Sequence, residues 1–359
     1  MILIFRGYIV LSANNLPNDD YILKRFLDPI SGALSENGVS EIAINRPGEY
    51  LVKVSSGWET RIEPKLTYDL LRSLCLAVAT YNKISVSPVM SAELSTGERV
   101  QIESEPVTPR GIIAVNIRRH QQTVMDLADI DASGAFNQVK DVSFNIPSAE
   151  EIQRLLKAND QTRLSAIEAE LLSLKAQGRW FEFFKLAVTN FKNIAISGAT
   201  GSGKTTFARS LINEVPEHER IVTFEEQHEL ILTKHRNKVH LFYGSGPGRI
   251  SPKECLRSAM RMSPDRIFPA EIRSDEAWEY LQSLNSGHPG SITTLHANSA
   301  AELFGRLFGL VKGSPVGMGL DTSWIRAEIY RSIHIALHFE NRKLVEVFYD
   351  PIHAKKQVM

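Results

Sequence analysis

The stretch that most restricts the fold of this chain is Gly198-Ala199-Thr200-Gly201-Ser202-Gly203-Lys204-Thr205, which fits G-x-x-x-x-G-K-[ST] without a mismatch. A mostly apolar run, Asn193 to Ser197, precedes it and predicts a strand, and Lys204 to Val215 follows with the pattern of a helix. In that setting the glycines let backbone N–H groups converge on phosphate oxygens, and the helix N-terminus adds its partial positive charge. Lys204 is expected to reach the β- and γ-phosphates of a nucleotide, and Thr205 to hold Mg2+.

Downstream, strand and helix alternate. Arg220 to Glu225, Arg266 to Glu271 and Ser291 to Leu295 predict strands; Pro252 to Met262, Asp275 to Leu284 and Ser299 to Val311 predict helices. This order implies an α/β domain whose parallel sheet is covered on both faces. A terminal hairpin, His334 to Phe339 with Lys343 to Tyr349, is expected to add an edge. A magnesium-bound nucleotide needs carboxylates that orient the metal and an attacking water, and parallel strands deliver them at their C-terminal ends. Glu225 and Glu226 end one strand and Glu271 another. Glu271 is expected to polarise water and to share the metal with Thr205, and Glu225 to support it. Arg257 and Arg261, four apart on one helix face, and Arg273 fit either phosphate stabilisation or an ion-pair face. His288 and His296 flank a predicted strand, and neither has a second ligand at helical spacing, which speaks against a metal there. The residues thus point to a nucleoside triphosphatase of the phosphate-loop class.

The N-terminal third is patterned differently. Ser40 to Asn45 and Tyr50 to Val54 alternate around the turn Arg46-Pro47-Gly48-Glu49, and Leu70, Leu71, Leu74, Ala77 and Val78 recur at helical spacing. Arg99 to Glu103 and Gly111 to Arg118 predict two more strands. We therefore expect an N-terminal α+β domain at 1–119, a linker with helices at 120–192 and the α/β domain at 193–359. The linker opens on the polar stretch His120 to Pro147 and continues through Ser148-Ala149-Glu150-Glu151, which resembles a capping box.

Composition narrows the function. The 41 basic and 41 acidic side chains cancel, and residues 1–118 alone carry 12 and 13. That balance argues against a protein built to coat nucleic acid. Cys75 and Cys255 are too far apart in sequence to spell a zinc knuckle or a redox pair, and read as buried apolar residues in a reducing compartment. No apolar run reaches the ~18 residues of a membrane span. Met1 to Phe5 with Ile9 to Leu11, broken by Arg6 and Gly7, is not expected to act as a signal peptide.

Beyond the loop, an ordered set of motifs resembles one family. It comprises Gly198 to Thr206, then Thr223-Phe224-Glu225-Glu226 with Glu229-Leu230, then Ser263-Pro264-Asp265-Arg266 leading through Ile267 to Ala270 into Glu271-Ile272-Arg273, and last Gly287-His288 through His296-Ala297-Asn298-Ser299. Together these resemble the hexameric traffic ATPases of bacterial type IV secretion systems, within the superfamily that also drives type II secretion and pilus motors. Ser286 to Ala297 looks closer to the type IV branch, and Glu41 to Glu49, Trp58, Gly97 to Ile102 and Asn116 to Arg118 agree. Two distant cysteines cannot make the tetracysteine zinc module frequent in type II relatives.

The resemblance covers residues 36 to 350. It implies a RecA-like P-loop ATPase domain with a separate N-terminal α+β domain and helical linker, and ATP and Mg2+ as cofactors. By it, Gly198 to Thr206 bind phosphate and Mg2+, Glu225 belongs to an acidic box, Glu271 is the Walker B carboxylate and His296 senses the γ-phosphate. Arg99 and Arg118 look like the N-terminal-domain arginines that reach the nucleotide, a contact that hydrolysis would loosen; Arg99 equally fits a cross-strand ion pair with a glutamate. The family further implies a homohexameric ring motor that powers substrate translocation or pilus assembly. Its partners would be inner-membrane channel components, including the other ATPases of the system, with no direct nucleic-acid binding. Its place would be cytoplasmic, peripheral at the cytoplasmic face of the bacterial inner membrane. Glu226 stands where the family usually has Asp, Ser274 where it often has Gly, and 120–192 is longer than in the shortest relatives. A RecA-like DNA-dependent ATPase or helicase shares the loop and sheet and is the rival reading, against which charge balance and the histidine motif weigh.

Overall fold

The computed structural model describes residues 3–5, 8–10, 19–54, 56–119, 124–244 and 249–357. Met1, Arg6, Gly7 and Leu11 of the apolar start, and His120, lie outside the described residues. The chain divides into two compact units, Met1–Gln121 and Gln122–Met359.

In the first unit, β1 (Leu3–Phe5) and β2 (Tyr8–Val10) form a short antiparallel pair ahead of α1 (Asp19–Leu27) and α2 (Ser31–Ser35). Six strands follow: β3 (Glu41–Ile44), β4 (Glu49–Val54), β5 (Gly57–Ile62), β6 (Val89–Glu93), β7 (Arg99–Glu103) and β8 (Ala114–Arg118), with α3 (Tyr68–Tyr81) between β5 and β6. They make an antiparallel sheet in the order β5-β4-β3-β8-β7-β6. Alternation decides its faces: Ile42, Ile44, Val100, Ile102, Val115 and Ile117 are buried in one core with Leu71, Leu74 and Val78 of α3, while their neighbours along each strand face the other way. Thr67 caps α3 by accepting from Leu70 N–H.

The second unit begins with α4 (Leu127–Ala132), β9 (Lys140–Asp141), α5 (Ala149–Leu156), α6 (Ala166–Ala176) and α7 (Trp180–Thr189). Ser148 with Glu151 and Ser165 with Glu168 close capping boxes that start α5 and α6. Then come β10 (Ile194–Gly198), α8 (Lys204–Ile212), β11 (Ile221–Glu225), β12 (Lys238–Phe242), α9 (Pro252–Met260), β13 (Arg266–Pro269), α10 (Glu276–Asn285) and β14 (Ile292–Leu295). α11 (Ala300–Lys312), α12 (Thr322–Ser332), β15 (Ile335–Glu340), β16 (Lys343–Tyr349) and α13 (Pro351–Lys356) complete it.

β10, β11, β13 and β14 are buried at every residue, as strands covered on both faces must be. Ile194 and Ile196 face a core shared with Leu171, Phe183, Phe184 and Phe207, and Ala195 faces a second core with Leu256, Leu281 and Leu307. The α/β reading holds, and so does the terminal hairpin: β15 runs parallel to β10 and antiparallel to β16. The span 120–192, expected to connect the domains, contributes Leu127, Ile130, Phe136, Ile152 and Phe183 to the first of these cores.

One discontinuity matters for the site. The ladders run β12-β11-β13 and β14-β10-β15-β16-β9, and no ladder joins β13 to β14. Ala270 N donates to Phe224 O across β11, so by alternation the position facing β14 is Pro269, which has no N–H to give. The two sets meet instead through Ser291 Oγ on Ile267 O (2.7 Å), Thr294 Oγ1 on Ala270 O (2.8 Å) and Ile272 N on Thr294 O (3.1 Å).

Candidate active site

Lateral order along the carboxyl edge of the strands is β11, β13, β14, β10. Glu225, Glu271, His296 and the loop opening at Gly198 therefore follow one another there, the arrangement in which open α/β sheets bind ligands.

The loop itself is held by glycine geometry and by the last hairpin. Gly198, Gly201 and Gly203 have φ of 148, 78 and 101°, in the region that favours glycine. A Cβ on Gly198 would stand 2.4 Å from the carbonyl oxygen of Phe339 and 2.6 Å from Ser202 Oγ. Asn341 and Arg342, with φ of 47 and 64°, turn the β15–β16 hairpin back onto the loop, where Arg342 N donates to Ser202 O at 2.9 Å. Lys204 is buried, and its Nζ donates to the carbonyls of Gly198 and Ala199, both at 2.7 Å. The Ser202 hydroxyl is buried with no hydrogen-bond partner.

These features fit a phosphate group. The lysine is already inside the loop, an orphaned hydroxyl lies beside it, and the head of α8 brings Thr205 and Thr206 half-buried to its rim. The oxygen donors at hand, the Thr205 hydroxyl and the Glu271 carboxylate, are of the kind Mg2+ takes. The adjoining cleft is lined by Ala199, Thr200, Gly201, Ser202, Asn298 and Asn341.

Glu271 is half-buried just past β13, with one oxygen hydrogen-bonded and the other, Oε1, buried against an imidazole without a hydrogen bond. His296 Nε2 stands 3.0 Å from Oε1, and Arg273 Nη2 donates to Oε2 at 2.8 Å. Arg273 also donates through Nη1 to Glu226 Oε2 at 2.6 Å, so one guanidinium bridges two carboxylates. Burial works against the charge on Arg273, but Glu271 and Glu226 outweigh it and hold the guanidinium more firmly protonated than usual.

Glu225 sits differently. It is fully buried, its Oε2 accepts the backbone N–H groups of Glu229 (2.7 Å) and Leu230 (2.6 Å), and its Oε1 accepts from Thr223 Oγ1 (2.8 Å). His240 Nδ1 lies 3.1 Å and His228 Nδ1 3.7 Å from Oε1. Burial opposes ionisation of Glu225, yet the donors from His228, His240, Leu230 and Thr223 prevail and lower its pKa to about 2. A carboxylate so engaged fastens the turn 226–230 to the end of β11.

The remaining candidates separate. Arg257 Nη2 lies 3.7 Å from Glu279 Oε1, which also takes Lys253 Nζ at 2.5 Å, so this arginine belongs to an ion-pair face between α9 and α10. Arg261 caps the C-terminus of α9, and His288 lies in the turn before β14. Arg99 and Arg118, in the first unit, are register partners across β7 and β8; Glu93 stands opposite Arg99, and Glu41 opposite Arg118. Both cysteines are buried, with thiols pushed up to about 11 by that burial, Cys75 on α3 and Cys255 on α9. No helix of the described residues is long and apolar enough to cross a membrane. Sequence reasoning placed the hairpin turn at Glu340-Asn341-Arg342 but passed over His228 and His240. The alternation in Lys238–Phe242 would have found the strand that carries His240.

The family profile described as "Type II/IV secretion system protein" matches residues 146–324. The chain is 36% identical over 335 residues to the type IV secretion system protein VirB11 of Bartonella quintana, covering 90% of this chain and 92% of that one. Its fold is similar to the crystal structure of the VirB11 ATPase from the Brucella suis type IV secretion system in complex with sulphate, with a TM-score of 0.51, 34% identity, and 94% and 97% of the two chains covered. It is also similar in fold to the ATPase DotB of Legionella pneumophila, with a TM-score of 0.55 at 17% identity over 94% of this chain and 82% of that one.

Proposed function

We propose, from the premise that the chain belongs to the VirB11 family of type IV secretion system proteins, that it is an ATP-hydrolysing motor of such a system, converting ATP and water to ADP and phosphate with Mg2+. The observation that carries the reading is the phosphate-shaped loop, with Lys204 and the orphaned Ser202 hydroxyl inside it, set on the same sheet edge as the Glu271–His296 pair. Mg2+ bound with ATP supplies the Lewis acidity that draws charge from the γ-phosphoryl oxygens.

The residues divide the work. Gly198 to Gly203 cradle the phosphates through backbone N–H groups, with Thr206 beside them on α8. Lys204 exchanges the carbonyls of Gly198 and Ala199 for phosphate oxygens. Thr205 and Glu271 would hold the metal, and Glu271 would orient the attacking water. His296 keeps the Glu271 carboxylate in place and meets the terminal phosphate. Glu225 acts by fixing the turn that carries Glu226, whose extra methylene relative to Asp lets it reach Arg273. Arg99 and Arg118 supply guanidinium groups to the terminal phosphate. The working form is a homohexamer at the cytoplasmic face of the inner membrane, acting on channel components and the system's other ATPases, with no direct contact to nucleic acid.

Phosphate release by purified Lys204→Ala and Glu271→Gln tests the assignment. Both should lose turnover by at least roughly 100-fold, the cost of removing one well-aimed electrostatic group, while keeping native circular dichroism. Ordinary turnover in either folded variant overturns it. Mass in solution with and without Mg·ATP tests the ring, since a monomer under both conditions contradicts it.

A further inference from the structure

The neighbourhood of Glu225 holds a donor set that nucleotide chemistry does not use. Thr223 and His240 are register partners on the parallel pair β11 and β12, and Glu225, two residues beyond Thr223, projects on the same face. The turn after β11 brings exposed His228 back over that face. As a result one carboxylate oxygen and two imidazole nitrogens lie within 4.8 Å of one another. Glu225 Oε1 is 3.1 Å from His240 Nδ1 and 3.7 Å from His228 Nδ1, and the imidazoles meet edge to face with centroids 4.4 Å apart.

These spacings match a tetrahedral ion. Donors at 2.0–2.1 Å from zinc are about 3.4 Å apart along each edge of the tetrahedron, and the two observed separations straddle that value. The carboxylate is also oriented from behind, because Glu229 N–H and Leu230 N–H fix Oε2 and leave Oε1 facing the imidazoles. Thr223 Oγ1, 2.8 Å from both Glu225 Oε1 and His240 Nδ1, closes the fourth side. Two nitrogens and an oxygen select a borderline transition metal over Mg2+, which prefers oxygen donors throughout.

We propose that Glu225, His228 and His240 form a binding site for a zinc-class dication, separate in ligands and in chemistry from the Mg2+ of the nucleotide. The ion ties the turn at 226–229 to β12, so that metal occupancy sets how firmly Glu226 is presented to Arg273.

The full chain, stripped with chelator and exchanged into metal-free buffer, is titrated with Co2+ and followed by visible absorption. The expected result is one equivalent bound with the intense bands of a four-coordinate site, displaced by Zn2+ and not by millimolar Mg2+. His228→Ala, on an exposed side chain, and His240→Ala should each weaken Co2+ binding by at least roughly 100-fold, the upper end of what losing even an outer-shell partner costs, while His288→Ala leaves it unchanged. A weak six-coordinate spectrum, or tight binding that survives both His228→Ala and His240→Ala in variants with native circular dichroism, overturns the proposal.

Discussion

His296 Nε2 stands 3.0 Å from Glu271 Oε1, joining the residue that follows β14 to the residue that follows β13. Both side chains come from strand ends, so their separation is set by the sheet and only their rotamers are free. Arg273 is the donor that holds the Glu271 carboxylate, and it pulls toward Glu226; removing the imidazole takes away the group packed against Oε1 on the other side. His296→Ala should therefore lower kcat by about 100-fold, the effect of a misplaced catalytic group, with ATP affinity nearly unchanged. Steady-state kinetics set beside equilibrium nucleotide binding separates the two quantities.

Glu226→Gln should do less. Its pair with Arg273 is half-exposed on both sides and contributes at most about 1 kcal/mol to stability, and Arg273 keeps its bond to Glu271. The expected outcome is a melting temperature close to the parent and a modest loss of turnover, well short of that in His296→Ala.

The Glu225 carboxylate links stability to pH. Its folded-state pKa, about 2, lies below the ordinary 4.5. The folded state therefore binds its proton less readily than the unfolded chain, and the stability it contributes is complete above pH 4.5 and lost as pH falls toward 2. The shift corresponds to roughly 3 kcal/mol at neutral pH. Urea unfolding should show Glu225→Gln destabilised by that order at pH 7, with the gap to the parent beginning to close below pH 4.5.

Gly198→Ala tests the loop. The added Cβ meets the Phe339 carbonyl at 2.4 Å, at a φ of 148° that alanine rarely adopts. Backbone must move, at a cost of about 2 kcal/mol, and the movement displaces Ser202. Calorimetry should show a lower melting temperature, and titration weaker nucleotide binding.

Arg266, at the opposite end of β13, is wholly buried. It forms a two-point pair with Glu219 at 2.6 and 3.1 Å, donates to Val188 O at 2.8 Å and lies 4.1 Å over the Phe191 ring. Arg266→Met should cost roughly 3–5 kcal/mol because Glu219 stays buried without its partner, and adding Glu219→Leu should restore part of that loss. A denaturation double-mutant cycle measures the coupling.

The parts of the fold that were legible in the sequence are those whose cause is local. The loop, the helix starts at Ser148 and Ser251, and the strands around Phe224 and Ile267 follow from spacing, capping and apolar runs within a few residues. What escaped depends on distant partners. β12 is a short strand after a polar stretch, and only its ladder to β11 fixes its place in the sheet. α12 buries Glu328 and Ser332 beside Ile325 and Ile329, so its inward face does not look apolar. The polar stretch before Ser148 gains its place from residues two hundred positions on, where Val142 N–H meets Val347 O and Asn145 meets Asp350. In the site, Lys204, Glu271 and His296 were readable as residues, whereas the Glu225 cluster was not, because the short alternation in Lys238–Phe242 says nothing of the ladder to β11 that brings His240 to Glu225.

The missing ladder between β13 and β14 gives the sheet a mechanical character. On one side is a stiff panel bearing Glu225 and Glu271; on the other is a second panel bearing Gly198 and His296. Each resists shear through its own row of backbone bonds, while the joint between them is stitched mainly by side chains, the Ser291 and Thr294 hydroxyls and the Arg266 guanidinium, with one backbone bond from Ile272 N to Thr294 O. The joint is therefore the line across the sheet with the fewest backbone bonds, bridged by the side-chain cores that both panels share. The Glu271–His296 contact spans the joint, so its length reads the offset of one panel against the other.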